Sequence, residues 1–232
     1  MPLANIVRLE VGRNSSVRVV NVDKDVLQFY SGYFRAALSG GFAEAMQRVI
    51  KLPTEELAVV ELAVTWMLRR QLNVDFKSPA KGDTGLLLCK LWTFADRRDM
   101  PMLANVTIDH LRSHLFKQWY PPTRQMVQFS YANTTEDAAL RRFLAFFMVV
   151  TCSPRSLRQK TNHGWPHEAT LDLLEAVYEG KDHGVHRSGV DPTGTLRQEI
   201  VQTANMCEYH VHGKGVTCKV AKQEGCECGC DF

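Results

Sequence analysis

The sequence predicts an α+β fold: a small sheet covered on one side by a cluster of helices, followed by a mostly helical C-terminal region. Three observations lead there. Residues 6–12 (IVRLEVG) and 17–22 (VRVVNV) alternate with a period of two and are rich in β-branched residues, as half-buried strands require. Residues 48–52 (RVIKL) read as a third short strand. Beyond it, apolar residues recur at helical spacing in one segment after another. Three strands are too few to be covered on both faces as in a doubly wound α/β protein, so a single helical layer is the simpler solution.

The elements follow in order. Leu9 and Val11 share one face of the first strand, and Asn14, Ser15 and Ser16 mark the turn into the second. There Val17, Val19 and Asn21 face one way and Val20 and Val22 the other. Asp23 or Asp25 is placed to cap a short helix carrying Val26, Leu27 and Tyr30. Gly32 interrupts it, and Phe34, Ala37 and Leu38 mark a second short helix that Gly40-Gly41 stops. After the third strand, Thr54 is the expected cap of a helix whose stripe is Val59, Leu62, Ala63, Trp66 and Met67. Residues 72–82 read as a loop. Asp83 or Thr84 starts a helix with Leu87, Leu88, Leu91, Trp92 and Ala95 inward, and Pro101 suits the first turn of the next, striped by Leu103, Val106, Leu111 and Leu115. This first unit spans residues 4–117.

Adjacent prolines cannot continue a helix, so Tyr120-Pro121-Pro122 is the expected boundary. Residues 123–206 form the helical C-terminal region. Capping side chains at Asn133 to Glu136 precede a stripe of Leu140, Phe143, Leu144, Phe147 and Met148, and Pro154 closes that segment. Pro166 opens another helix, with Leu171, Leu174 and Val177 expected inward. Residues 180–195 read as a flexible link and 196–206 as a last short helix. Residues 207–232 read as a Cys-rich flexible tail with no core of its own.

Composition narrows the function classes. Of 232 residues 45% are apolar and 23% charged, which excludes a disordered polar chain. The net charge of +3 forms no basic stripe, so a nucleic-acid footprint is not supported. The longest apolar run, FLAFFMVV, has eight residues, too few to cross a bilayer, and MPLANIVRLEV lacks the pattern of a signal peptide. A cytoplasmic or nuclear, reducing location is therefore expected. Cys89 and Cys152 end or interrupt apolar runs and read as buried small hydrophobes.

Candidate chemistry concentrates in the tail. Cys207, His210, His212 and Cys218 supply two thiolates and two imidazoles within 12 residues, a donor set suited to tetrahedral zinc. The pairs interleave and enclose no apolar mini-core, unlike a zinc finger, so the leading reading is a solvated tail, with zinc binding or redox pairing as alternatives. Cys226, Cys228 and Cys230 form CECGC; the small ring of a CxC disulfide is strained, the flanking acids Glu227 and Asp231 do not favour thiolates, and soft-metal binding by adjacent thiolates is the alternative reading. No GxSxG elbow and no phosphate loop occurs. His110 and His114 share a helical face without a third ligand, Asp109 facing elsewhere, and read as surface histidines. His163, His167, His183 and His186 are dispersed. Arg69-Arg70 and Arg97-Arg98 suit the C-terminal ends of helices, and Arg141-Arg142 a polar helical face. No catalytic residue, metal site or cofactor is assigned.

The feature that exceeds a bland reading is aromatic. Phe29, Tyr30, Tyr33, Phe34 and Phe42 crowd 14 residues around two short helices. Such helices cannot bury every face, so Phe29, Tyr30, Tyr33 and Phe42 are candidate interface residues.

These strings carry a resemblance. IVRLEVG, VNVDKDVL, SGYFRAALSGGFAEA, RVIKLP, ELAVTWMLRRQL and LCKLWTFADRRDMPML together resemble a BTB/POZ domain, particularly of the small proteins abundant in filamentous fungi. They cover most of residues 6–115, and TTEDAALRRFLA extends a weaker match to about residue 218. Ser31, Tyr33, Phe34, Arg35, Phe42 and Glu44 are similar to the family's first helical hairpin. Ala95, Asp96, Met100 and Pro101 are similar to its helix-to-helix joint. CEYHVH is similar to a recurring end of the fungal members. The resemblance implies a small sheet beneath a helical cluster and a role in protein–protein association: homodimerisation, docking to a cullin scaffold as a ubiquitin-ligase adaptor, or transcription-associated oligomerisation. It implies neither catalysis nor a cofactor. Asp23 stands where many members carry histidine, and Trp66-Met67-Leu68-Arg69-Arg70 lacks the glycine that often ends the third helix. Five residues precede the first strand, too few for the N-terminal elements that long members exchange between subunits. No DNA-reading or kelch-type module is evident.

Overall fold

The computed structural model describes residues 5–41, 43–72, 83–152, 164–182 and 195–212. The protein is α+β, a three-stranded sheet covered by helices. Strand β1 (Ile6–Val11) lies between β2 (Arg18–Asp23), which is antiparallel to it, and β3 (Val49–Leu52), which is parallel. Register follows the apolar pattern. Leu9 lies opposite Val20 and Ile50, and Val7 opposite Val22. Val7, Leu9, Val11, Val22, Ile50 and Leu52 are buried on the helix-covered face, while Arg8, Val19, Asn21 and Lys51 are exposed on the other.

A parallel pair needs a crossover, here supplied by three short helices: α1 (Lys24–Tyr30), α2 (Gly32–Ser39) and α3 (Ala43–Gln47). Asp23 caps α1, accepting from the Asp25 amide at 2.8 Å. The break between α1 and α2 falls at Ser31 rather than at Gly32, which opens α2. Ser31 is fully buried. Its Oγ accepts from the Phe34 amide at 3.0 Å and donates to the Arg98 carbonyl at 2.6 Å. Gly32 donates to the Asp99 carbonyl at 3.0 Å, and a Cβ there would lie 1.8 Å from the carboxylate oxygen of the exposed Asp99 side chain, which would have to swing aside. The sequence pattern gave no sign of α3.

Helix α4 (Leu57–Arg69) buries Val59, Ala63, Trp66 and Met67 as expected, with Leu62 half-buried. Thr54 does not cap it. Residues 53–55 turn before the helix, and Glu56 holds the cap position without a capping bond, its carboxylate pairing instead with Lys90. Asp83 caps α5 (Thr84–Arg97), and Pro101 opens α6 (Pro101–Gln118). Leu88, Leu91, Trp92, Leu103, Leu111 and Leu115 are buried as the stripes require.

After Pro121-Pro122 comes α7 (Arg124–Asn133), capped by Thr123, whose hydroxyl also donates to Asp83 at 3.0 Å. Residues 133–136 do not cap α8 (Ala139–Thr151); Ala138 is its N-cap and makes no side-chain bond. Buried Arg141 instead reaches back to cap α7, donating to the carbonyls of Tyr131 and Thr134, where a cation meets the negative end of that helix. In α9 (His167–Asp182) the expected inward face holds at Val177 but not at Leu171 and Leu174, which are half exposed; Ala169 and Leu173 are buried instead, with Ala176 and Val177 packed beside them. The face that meets α8 is the one carrying Ala169 and Leu173 rather than Leu171 and Leu174. Helix α10 (Thr195–Thr203) places Val201 in the main core.

That core runs without interruption from β1 through α8 to Val201, crossing the Pro121-Pro122 step. A smaller cluster of Val127, Tyr131, Ala145, Met148, Ala169 and Leu173 joins α7, α8 and α9. Residues 207–212 are not a solvated extension: a 3-10 turn at Met206–Tyr209 packs against α6 and α8. Pro154, most of the 180–195 link and the tail from residue 213 on lie outside the described residues.

Ser31 serves two helices and the α5–α6 joint at once. Ser31→Ala strips the Phe34 amide of its partner in a buried site and is expected to lower unfolding free energy by about 2 kcal/mol in urea titration. A change under about 0.5 kcal/mol, the scale of a featureless surface site, would contradict this role.

Candidate interaction surface

The α1–α2 hairpin divides its side chains sharply. Leu27, Phe34 and Leu38 are buried, and on the other side Phe29 is 70% exposed and Tyr33 41%. Met46 of α3, which the sequence reading did not single out, is 77% exposed. Tyr30 is half-buried and packs edge-on against Trp66, with ring centroids 5.3 Å apart. Of the four candidate interface residues, Phe29 and Tyr33 are thus offered to solvent, Tyr30 is partly absorbed by the core, and Phe42 lies outside the described residues.

The hairpin is firmly held. The Arg35 guanidinium donates from Nε to the Gln28 carbonyl at 3.0 Å, capping the end of α1, and Gln28 donates to the Ser39 hydroxyl at 2.8 Å. The Arg98 guanidinium lies 5.0 Å from the Tyr33 ring centre and 5.1 Å from that of Phe94, and pairs with Glu55 at 2.9 Å. Arg70 closes α4 in the left-handed conformation, with its guanidinium 4.5 Å from the Trp66 ring and 5.3 Å from Tyr30. Cations over aromatic faces hold rings in place and add about 0.5–1 kcal/mol each at exposed sites. Exposed aromatics on a pre-ordered support lose little entropy on docking, which favours binding. One arginine of each helix-end pair, Arg70 and Arg98, therefore buttresses aromatics, a role their positions alone did not reveal.

The polar candidates resolve as follows. Cys89 is fully buried, and burial pushes its thiol up to about 12, the Ser130 hydroxyl offsetting this only in part. It stays protonated and is inert as nucleophile or ligand. Cys152 is half-buried. His114 is not a surface histidine: it is buried on α6, and His110 is half-buried. Desolvation holds both below the ordinary histidine value, Asp109 opposing it at His110 and Asp83 at His114. Tyr131 donates to Asp172 at 2.6 Å, and burial together with that carboxylate raises its pKa. His167 is exposed; His163, His183 and His186 lie outside the described residues. Asp109, expected to face elsewhere, meets His210, its Oδ1 3.2 Å from Nε2. Among the described residues no group of three or more His, Cys, Asp or Glu side chains is placed to hold a metal ion, and no helix is long and apolar enough to cross a membrane.

No protein-family model matches the chain, and no curated protein matches it in sequence.

A histidine whose folded pKa is depressed contributes stability that is present above its unfolded value of about 6.5 and lost as pH falls below it. Thermal melts of the full chain are expected to fall in midpoint between pH 7.5 and pH 5. His114→Gln, which cannot charge, should show a shallower fall over the same range. Parallel profiles would show that His114 carries none of the pH dependence.

Proposed function

We propose that the chain is a non-catalytic protein–protein interaction module of the BTB/POZ type, acting as an adaptor that docks a cullin-type ubiquitin-ligase scaffold. The observation that supports this most directly is the hairpin that buries Leu27, Phe34 and Leu38 while holding Phe29 and Tyr33 outward on a capped, cation-buttressed support. Large apolar side chains with few rotors are the residue types that dominate interface energetics. The α+β layout, with a short mixed sheet under helices, agrees with the family that the strings of residues 6–115 resemble.

The test uses the full chain and a purified cullin N-terminal scaffold. Binding is expected at or below tens of micromolar, weakened about 10- to 100-fold by Phe29→Ala with Tyr33→Ala. Both side chains are exposed, so the thermal midpoint should stay nearly unchanged. No binding at tens of micromolar sinks the adaptor reading, and binding that ignores both substitutions moves the interface elsewhere. Sedimentation across concentration reads self-association in the same samples.

A further inference from the structure

We propose that strand β2 is a pairing edge through which two copies of the chain join their three-stranded sheets, antiparallel, into one continuous sheet, independently of any partner that the hairpin binds. The hydrogen-bond phase of the sheet identifies the free groups. Arg8 donates its amide to the Arg48 carbonyl at 2.8 Å and Gly12 donates to the Leu52 carbonyl at 3.1 Å, so the backbone groups of these residues and of Glu10 face β3. Successive residues of a strand point their backbone groups to opposite sides. Val7, Leu9 and Val11 therefore face β2, and their register partners Val22, Val20 and Arg18 face back. The amides and carbonyls of Val19 and Asn21 point away from the sheet, and β2 has no neighbouring strand on that side among the described residues. The side chains agree: Arg18 and Asn21 are exposed, Val19 is 46% exposed and Val17 36%.

Sheet edges are guarded against such pairing by lysine, proline, bulges or shortness. The other edge, β3, has four residues, carries Lys51 and runs into Pro53. Strand β2 has six residues, RVVNVD, with no lysine and no proline. Its charge pattern selects a second copy as the occupant. Arg13 and Arg18 stand at the turn end of the strand, while Asp23 and Asp25, with Lys24 between them, stand at the other end. Antiparallel copies set the basic end of each beside the acidic end of the other, whereas parallel copies set like against like. Faces must match and outward backbone groups must oppose one another, which leaves few registers. The register centred on Val20 keeps residues 18–22 fully paired. It sets Val19 of each copy opposite Asn21 of the other, joined through their free backbone groups, and Val20 opposite Val20 as a pair without backbone bonds. Val20 is half-buried against the core, so its contact with the second copy continues that core across the new sheet. A strand pair alone covers less than the roughly 1,200 Å² of a stable interface, so the association is weak.

The test is sedimentation equilibrium of the full chain in reducing buffer, which removes disulfide-linked dimers. Over about 5 to 500 µM a dissociation constant on the order of 10–100 µM is expected. Val19→Lys charges the edge and Asn21→Pro removes an outward donor; each should weaken association at least about tenfold. Both positions are exposed, and far-ultraviolet dichroism with thermal melts verifies that each variant is folded. Phe29→Ala with Tyr33→Ala should leave self-association unchanged. Val20→Cys reads the register: across the axis the two Cα atoms stand about 4.5 Å apart, within disulfide reach, so oxidation should trap more covalent dimer than in wild type. Arg18→Cys, displaced from the axis, should trap no more than wild type. Wild-type protein that stays monomeric at about 500 µM overturns the proposal. So does association that survives both Val19→Lys and Asn21→Pro, that is lost in the hairpin variant, or that Val20→Cys does not trap.

Discussion

The joint between α5 and α6 is the constraint on which the first unit depends. Its two backbone carbonyls, at Arg98 and Asp99, accept from the Ser31 hydroxyl and from the amides of Tyr33 and Gly32, so one tight turn anchors the helical hairpin that crosses from β2 to β3. The Arg98 side chain extends the same joint outward to Glu55, ahead of α4. Asp99 takes the left-handed conformation, φ 48°, which aims its carbonyl at α2. The ion pair is largely shielded, each side chain about a tenth exposed, and shielding strengthens the attraction while raising the desolvation penalty. Its contribution is therefore better read as fixing where α4, α5 and the hairpin meet than as net stability.

That anchoring explains how the same two short helices close a core and present a surface. With Leu27, Phe34 and Leu38 committed inward, no element among the described residues covers Phe29, and Tyr33 stays partly open to solvent. The guanidiniums of Arg35, Arg70 and Arg98 take up the polar work around the two helices: one caps α1, one lies over Trp66 and Tyr30, one over Tyr33. None of them needs a ligand to account for its position. Rigid support and exposed rings are what docking requires, and a reacting centre requires the opposite, a concave site with perturbed acids or bases.

The far side of the molecule is organised by a different device. Asn105, Arg112 and Arg142, on α6 and α8, address backbone atoms of residues 201–211, while Tyr209 fills the apolar gap between them. Contacts to backbone hold a segment in place with little demand on which side chains it carries.

Local patterning was enough to determine the strands, their faces, most helices, and the Asp23 and Asp83 caps, because each rests on a period or a cap that neighbouring residues specify. It also marked the aromatics around α1 and α2 as too many for so small a hairpin. Tertiary structure decided what depends on partners distant in the chain. Thr54 and residues 133–136 had the right chemistry for caps, yet Glu56 and Ala138 took those positions and Arg141 satisfied α7 from the next helix. Leu171 and Leu174 looked like a core stripe, yet α9 turned its alanines to α8, since a buried face is set by fit against a neighbour as much as by hydrophobicity. Residues 207–212 had too little apolar content to suggest a docked segment. Only the fold brings Asn105 and Asp109 to Val211 and His210, about a hundred residues on, and no local period can encode a contact of that span.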